Sequence, residues 1–549
     1  MACCAVLDSH IELDSSKDSS EHHVDMINLM QAQPFMRPFE RAVRRLLATL
    51  DAAATTVYGY AWNPLYQSGT VAVAMLLVLI GTGLYLLLFY RLGAPAASVA
   101  RMAADLWLGA WLRSLHRYAS DVFVLAVAVH ALRMFAQGRS WGPRTLAWVS
   151  GLVLFGAGLL CAWTGFVMAW DSFGERLARE GGRLLDALPV FSEPLSRIFA
   201  GDGPVPSAFF FVNMFIHIAV PLAMGAGLWL HVSRLARPAL LPPRRLMWGI
   251  VGALVAIAVI VPAPLGVPAN PFTLATTTPT DLVAAWWLPF SERMSPGAAW
   301  SVVLILSAVA LFMPRFTRRP RTDALAPSVV DPRLCTGCNQ CPQDCPWDAI
   351  TMVKRDDDRP TLVALVDPAR CVSCGICAGS CAPMGVGPPG RTGRDQLGGL
   401  QSDVLQIVAV CCAQSPASHV AALRERGAHI HTVSCVGNLH TSVIELFVRR
   451  GAPGVIVCAC PPRDCISREG PKWLHERVFN DREAELQPRV DRRRIRIATL
   501  APGGRRASLD AFDDFARALA ALDRPTRETD IDFEVRCDPV AIGAEGRDS

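Results

Sequence analysis

Two apolar segments of this chain begin and end with histidine at the same spacing. HRYASDVFVLAVAVH runs from His116 to His130, and HIAVPLAMGAGLWLH runs from His217 to His231. A polar ring within an apolar segment is costly to bury unless it has a partner. Over this interval an α-helix rises about 21 Å and makes nearly four turns, so both rings of a segment lie near one helix face. The pattern predicts two helices that each offer one imidazole near either end of an apolar layer.

The histidine segments are two of six apolar runs that are long enough to cross a bilayer. The runs lie at 70–90, 106–135, 145–170, 208–232, 247–264 and 299–314, and the last two are short and contain or border prolines. Spans two and four cross in the same direction, so His116 is level with His217 and His130 with His231. Amphipathic segments at 39–50 and 173–191 predict helices on the membrane surface.

Two bis-histidine haems stacked across the bilayer would use all four rings as axial ligands. The first and third spans support this with glycines at the same spacing, where a flat macrocycle lies edge-on to a helix. These glycines are Gly69, Gly83, Gly151 and Gly165. Arg113 and Arg133 each stand three residues from a histidine of span two, placed to meet haem propionates. A hydrogen-bonded core histidine would account for one such residue, but not for two equal pairs with matched glycines.

Residues 40–315 resemble cytochrome b of the quinol-oxidising bc-type complexes. The resemblance is carried by NPLYQSG, WLRSLH…HALR, TGFVMAWD (164–171) and VPANPFTLATTTP. It implies a four-helix di-haem core plus about two further spans, two haem b groups, quinone as an exchangeable substrate, and a homodimer as in cytochrome b complexes. Where the family carries Pro-Glu-Trp-Tyr, this chain reads AAWW (284–287). The glutamate that takes a quinol proton is absent, which disfavours a bc-type quinol-oxidising core.

Fourteen of the 18 cysteines lie between Cys335 and Cys465 in close clusters, which favours metal or cluster ligation in a reducing compartment over secreted disulfides. CTGCNQCPQDCP and CVSCGICAGSCAP share the spacing C-x2-C-x2-C-x3-C. This spacing is specific for 4Fe–4S clusters, whereas zinc usually takes two CxxC pairs further apart. One cluster would take Cys335, Cys338, Cys341 and Cys381. The other would take Cys371, Cys374, Cys377 and Cys345. The segment resembles bacterial two-cluster ferredoxins.

The C-terminal part alternates four strand-like with four helix-like runs, which predicts a parallel α/β sheet. Three cysteines fall at the carboxyl ends of strands, where ligands gather in such sheets, and a fourth follows in CACPPRDC. These four, which could hold a 2Fe–2S cluster, are Cys412, Cys435, Cys460 and Cys465. The part resembles the iron–sulfur delta subunit of methyl-viologen-reducing hydrogenase. That family often has a further cysteine where this chain has Ser415, so the choice between Cys411 and Cys412, and between Cys458 and Cys460, stays open. The alternative is a thioredoxin-like or structural set of buried thiols.

These features predict a multidomain chain. The predicted parts are a disordered tail (1–36), a helical membrane bundle (37–316), a linker (317–330), a ferredoxin-like domain with two 4Fe–4S clusters (331–385), a second linker (386–401), the α/β domain (402–524) and a loose tail (525–549). Arginines are concentrated on the side of the membrane that carries both chain ends, which predicts an inner-membrane protein with its iron–sulfur domains facing the cytoplasm. The net charge of +5 is spread out, and no basic cluster alternates with aromatics, so nucleic-acid binding is not expected.

The expected function is that of a membrane-bound electron-transfer subunit. It would link a cytoplasmic redox partner, through the iron–sulfur clusters and two b-type haems, to the quinone pool. The chain carries no nucleotide fingerprint, flavin motif or nickel-ligand pair, so the substrate chemistry is expected on a partner: a heterodisulfide-reductase-like, hydrogenase or dehydrogenase module. The sequence identifies no catalytic residue. A membrane redox sensor is the alternative from another class, but the sequence shows no output domain for it.

Overall fold

The structure is a computed structural model. It describes residues 37–59, 62–104, 107–138, 140, 144–189, 192–199, 204–233, 239–270, 281–316, 326–400, 403–461, 465–500 and 505–522. The two predicted tails, 1–36 and 525–549, and most of the predicted linker at 317–330 lie outside these ranges.

The first part of the described chain is helical. Its helices are α1 (Arg37–Tyr58), α2 (Ser68–Leu87), α3 (Pro95–Ala104), α4 (Trp107–Ala136), α5 (Thr145–Ala169), α6 (Ser172–Asp186), α7 (Ser207–Ser233), α8 (Arg244–Ile260), α9 (Leu288–Ser291) and α10 (Pro296–Phe316). Among the described residues, five of them (α2, α4, α5, α7 and α10) are long and apolar enough to cross a membrane. The fifth predicted run forms the shorter α8, of 17 residues. The amphipathic segments form α1 and α6.

The long helices pack in two pairs, α2 along α4 and α5 along α7. Small and apolar side chains fill the core between them, among them Met75, Ala119 and Phe123. Each pair places one glycine-bearing helix against one histidine-bearing helix. On α10, Leu304, Ile305 and Leu306 are exposed, as expected of a helix whose outer face meets lipid rather than water.

The cysteine-dense part is a small unit of short elements. These are β1 (Val329–Val330), α11 (Gln340–Asp344), β2 (Ile350–Val353), β3 (Val363–Val366), α12 (Ile376–Gly379) and β4 (Val386–Gly387), with antiparallel pairs β1–β4 and β2–β3. The backbone is left-handed on both sides of the second cysteine in each motif, at Gly337 and Asn339 and again at Gly375 and Ser373. The two motifs therefore fold as a repeat, and in each motif the backbone turns around the second cysteine.

The last part is a parallel sheet between helices, as the sequence predicts. Its elements are α13 (Gly393–Gly398), β5 (Val408–Cys412), α14 (Ala417–Glu425), β6 (His429–Val433), α15 (Thr441–Arg449), β7 (Val455–Ala459), α16 (Gly470–Phe479), β8 (Ile495–Thr499) and α17 (Arg505–Ala520). The strands lie in the order β6-β5-β7-β8, all parallel. Apolar cores cover both faces, so the central strands β5 and β7 are buried throughout. In this order the crevice at the carboxyl ends of the strands lies beside β5.

Candidate electron-transfer sites

The four histidines meet in two pairs between α4 and α7. The ring centroids of His116 and His217 are 6.2 Å apart, and those of His130 and His231 are 6.5 Å apart. A metal–nitrogen bond to imidazole is about 2 Å long, so two rings on opposite sides of one ion have centres on the order of 6 Å apart. The residues present therefore fit two ions with paired axial imidazoles, one near each end of the bundle.

Each predicted glycine lies against one histidine ring. On α2, a β-carbon on Gly69 would lie 2.8 Å from Nδ1 of His130, and a β-carbon on Gly83 would lie 3.3 Å from Cε1 of His116. On α5, a β-carbon on Gly151 would lie 3.1 Å from Cε1 of His231, and a β-carbon on Gly165 would lie 3.0 Å from Cε1 of His217. Any larger residue would displace the ring or push the helices apart. The glycines thus make room for the imidazole rings themselves, in addition to the room for a flat macrocycle that the sequence predicts.

Three hydroxyl groups, missed from the sequence, hold the Nδ1 side of the rings. Thr82 Oγ1 lies 2.8 Å from His116 Nδ1, Thr164 Oγ1 2.9 Å from His217 Nδ1, and Ser150 Oγ 3.0 Å from His231 Nδ1. A partner at Nδ1 fixes the tautomer and leaves Nε2 for a metal. The signal is visible in the sequence, because each hydroxyl residue directly precedes one of the glycines.

The two arginines predicted to meet propionates have different surroundings. Arg133 is buried and forms an ion pair of 2.7 Å with Asp51, and its guanidinium lies over the ring of Tyr66. Arg113 donates from Nη2 to the carbonyl oxygen of Ala263, whereas its buried Nε has no hydrogen-bond partner among the described residues. An unsatisfied buried donor is costly, so the surroundings of Arg113 fit an added anionic group.

The AAWW segment lies at a turn where a neighbouring carboxylate is already engaged. Asp281 accepts hydrogen bonds from the amides of Ala284 and Ala285 over 2.6 and 3.0 Å, and it forms an ion pair with Arg117. Both alanines are buried. Asp281 is therefore held as a cap of this turn.

In the ferredoxin-like part, the first three thiols of each motif lie close to the fourth cysteine of the other motif. Burial, and more weakly the charges of Cys338 and Cys335, raise the pKa of the Cys381 thiol, while amides of the following turn lower it. Burial, together with the charges of Cys345 and Cys371, raises the pKa of Cys377 to about 12 against a hydrogen bond from Ser328. A bound metal would deprotonate such thiols. The crossed sets that the sequence predicts are therefore neighbours in space.

A cavity and several N–H groups surround these thiols. Cys335, Cys338, Cys341 and Cys381 line one cavity. The amides of Gly385, Ala349 and Ser328 lie 3.2, 3.4 and 3.4 Å from the sulfurs of Cys381, Cys345 and Cys371. Such N–H···S contacts are typical of sulfurs that bind iron–sulfur clusters and tune their potential. No three His, Cys, Asp or Glu side chains of the described residues converge on a single metal ion; the thiols of one cubane lie on separate irons.

The four C-terminal thiols meet at the carboxyl edge of the sheet. Cys412 and Cys460 share one hydrogen bond, and Cys435 and Cys465 share another. The hydrogen bond from Cys465 lowers the pKa of the Cys435 thiol. Beside them, the buried hydroxyl of Ser434 has no hydrogen-bond partner in the described part of the chain. The donor set fits a cluster held by four thiolates.

The alternative cysteines of each doublet face the other way. Cys411 and Cys458 are register partners on β5 and β7 and lie in the apolar core on the opposite side of the sheet. Cys412, by contrast, lies in the core on the other face, against which Cys460 also packs. Side chains alternate along a strand, so the adjacent Cys411 and Cys412 point to opposite faces. Cys460 lies just after the end of β7, so it is not bound by this alternation.

The three thiol groups are joined by contacts between the parts of the chain. The charge of Cys435 acts on Cys374, whose pKa burial raises, and the Asn438 side chain donates to the carbonyl oxygen of Gly375 over 3.1 Å. Trp347, two residues after Cys345, lies under the guanidinium of Arg144, 5.1 Å from the ring centroid. The set that contains Cys345 thus borders both the C-terminal thiols and the membrane helices.

Comparison with known proteins gives each part a family. Residues 56–239 match the family Cytochrome b/b6/petB, residues 334–385 the 4Fe-4S dicluster domain, and residues 407–523 the methyl-viologen-reducing hydrogenase, delta subunit. Cytochrome b6 of Heliobacterium mobile is 29% identical over 153 residues, which are 28% of this chain and 72% of that protein. A chain of a solved structure titled Hyperthermophilic respiratory Complex III aligns at 19% identity and a TM-score of 0.35, over 46% of this chain and 75% of that chain.

The chain is therefore a multi-pass membrane protein with the components of an electron-transfer oxidoreductase subunit. Along it lie an N-terminal domain that matches cytochrome b, a domain that matches the 4Fe–4S dicluster family and a C-terminal domain that matches the hydrogenase delta subunit. The first domain implies haem b and the second implies 4Fe–4S clusters.

Proposed function

We propose that this protein carries electrons between a cytoplasmic redox partner and the quinone pool. The partner is a heterodisulfide-reductase-like, hydrogenase or dehydrogenase module, and the iron–sulfur domains face the cytoplasm from the inner membrane. The observation that carries the proposal is the contact between Arg144 and Trp347, which sets the dicluster domain against the membrane domain. The bound groups would supply one-electron redox chemistry. The residues of the chain hold those groups at fixed positions.

The paired imidazoles are the proposed axial ligands of two haems, at His116 with His217 and at His130 with His231. The ring separations and the hydroxyl groups at Nδ1 support this assignment. The two crossed thiol sets are the proposed ligands of two 4Fe–4S clusters. The four C-terminal thiols, with Cys412 and Cys460 rather than Cys411 and Cys458, are the proposed ligands of a 2Fe–2S cluster.

The contacts also support an order for these sites. Arg144 immediately precedes α5, and six residues of that helix, a rise of about 9 Å, lead to Ser150. The hydroxyl of Ser150 lies at the ring of His231. The His130 and His231 pair is therefore the haem site on the side of the dicluster domain, and the set that contains Cys345 is the thiol set next to it. The His116 and His217 pair lies at the far end of the bundle.

The proposal is tested by oxidising the fully reduced protein with a quinone analogue. Purified protein is reduced with dithionite, freed of excess reductant and mixed with the quinone, while haem absorbance and iron–sulfur signals are followed. In the wild type we expect both haems and clusters to be oxidised. In a His130→Leu variant the clusters should stay reduced far longer, because their route to the quinone is broken.

The His130→Leu variant also serves as the control for direct oxidation of clusters by quinone in solution. Equal rates of cluster oxidation in the variant and the wild type would contradict the proposal. So would a wild type in which haems are oxidised and the clusters never exchange electrons with them.

A further inference from the structure

Arg477 on α16 is a fully buried cation between two iron–sulfur regions. Its Nη1 donates to Ser380 Oγ over 2.8 Å, and its Nη2 donates to the carbonyl oxygen of Gly437 over 2.9 Å. Ser380 directly precedes Cys381, and Gly437 follows Cys435 by two residues. One guanidinium thus joins the loop that carries a proposed cubane ligand to the loop that carries a proposed ligand of the C-terminal cluster.

The charges around Arg477 do not balance. Asp344, also buried, accepts a hydrogen bond of 2.6 Å from Ser380 Oγ, and its other oxygen forms an ion pair of 2.5 Å with Arg482. The buried guanidinium of Arg477 and the partly exposed guanidinium of Arg482 therefore share one carboxylate. One positive charge is therefore left without a carboxylate, and it interacts with the sulfur of Cys435.

The guanidinium of Arg477 is tightly packed by neighbouring protein atoms. A β-carbon on Gly379 would lie 2.7 Å from Arg477 Nη2 and 2.4 Å from the carbonyl oxygen of Gly437. The buried Nε of Arg477 has no hydrogen-bond partner among the described residues. Burial lowers the pKa of Arg477 to about 10, which still leaves it charged at neutral pH. An incompletely paired buried charge is costly to folding, so a purely structural role accounts poorly for it.

We propose that Arg477 is a positioning residue for electron transfer that raises the reduction potential of the C-terminal cluster. Reduction of a cluster bound there, by one electron from the neighbouring cubane or from the cytoplasmic partner, would add one negative charge between the four thiolates, with no bond made or broken. The fixed cation stabilises that charge strongly because the surroundings have a low dielectric constant. This inference rests on the proposed 2Fe–2S site. The carboxylate of Asp344 should have the opposite effect on the reduction potential of that cluster, so removing its charge should raise the potential.

The test is a redox titration of the full-length protein in detergent, followed by the electron paramagnetic resonance of each cluster. In Arg477→Met, we expect the ratio of reduced to oxidised C-terminal cluster at a fixed ambient potential to fall at least tenfold, which is about 59 mV for a one-electron couple. Arg477→Lys keeps the charge and should shift the ratio less. Asp344→Asn keeps an acceptor for Ser380 and should shift the ratio the other way.

An Arg477→Met protein with full cluster signal and an unchanged potential would overturn the inference. If that variant does not assemble its cluster, Asp344→Asn decides, and an unchanged or lowered potential there overturns the inference as well. A wild type without any third cluster signal would instead contradict the proposed 2Fe–2S site itself.

Discussion

Thr82 Oγ1 lies 2.8 Å from Nδ1 of His116 inside an otherwise apolar pair of helices. Thr164 stands in the same relation to His217 on the other pair of helices. The imidazoles of His116 and His217 therefore each have a hydroxyl group at Nδ1, on the side away from the other ring. This fixes which nitrogen faces the space between the rings.

Replacing Thr82 with valine removes this hydroxyl at nearly constant volume. We expect the affinity for the haem at His116 to fall on the order of 10- to 100-fold, as for other outer partners of metal ligands. Haem content per protein and an optical redox titration would measure the change. Thr82→Ser keeps the hydroxyl and should retain haem. Full haem content at an unchanged potential in Thr82→Val would show that the contact has no such role.

The glycines of α2 offer a matched comparison. A β-carbon on Gly69 would lie 2.8 Å from Nδ1 of His130, whereas one on Gly81 would meet nothing within 4 Å. We expect Gly69→Ala to lose the haem at the His130 and His231 pair, about half of the total. Gly81→Ala should keep both haems and gain up to about 1 kcal/mol in helix stability. The measurement is haem content with thermal unfolding; equal haem in both variants would contradict the assignment.

The adjacent cysteines Cys411 and Cys412 offer a second matched comparison. Cys412→Ala should abolish the electron paramagnetic resonance signal of the C-terminal cluster while both cubane signals remain. Cys411→Ala, one residue earlier, should keep all three signals because its side chain lies in the opposite core. Loss of the signal in Cys411→Ala and its retention in Cys412→Ala would reverse the choice of ligand.

Trp347 should affect the rate of electron transfer without affecting potentials. The guanidinium groups of Arg144 and Arg468 lie over its ring, 5.1 and 5.4 Å from the ring centroid. Trp347→Leu loosens this contact, and we expect cluster oxidation by a quinone analogue to slow at least roughly tenfold, because small displacements at a reacting interface cost much rate. Trp347→Phe keeps an aromatic ring and should slow it less. An unchanged rate in Trp347→Leu would place the route elsewhere.

Much of this protein follows from spacing along the chain. The interval between His116 and His130 sets both rings on one helix face, and the four strands show as apolar runs that alternate with helices. The ferredoxin motifs are equally local, since most ligands of a cubane lie within one short loop. These features depend on the periods of helices and strands, which nearby residues determine.

Other features depend on which elements meet, and only the tertiary structure decided them. Whether Cys411 or Cys412 faces the other thiols depends on which side of β5 carries the loops of β6 and β7. The ion pair between Arg133 and Asp51 joins residues 82 positions apart. The burial of Arg477 arises where the last two domains pack together. Local sequence holds little information on such contacts, because their energy comes from groups that become neighbours only when the chain is folded.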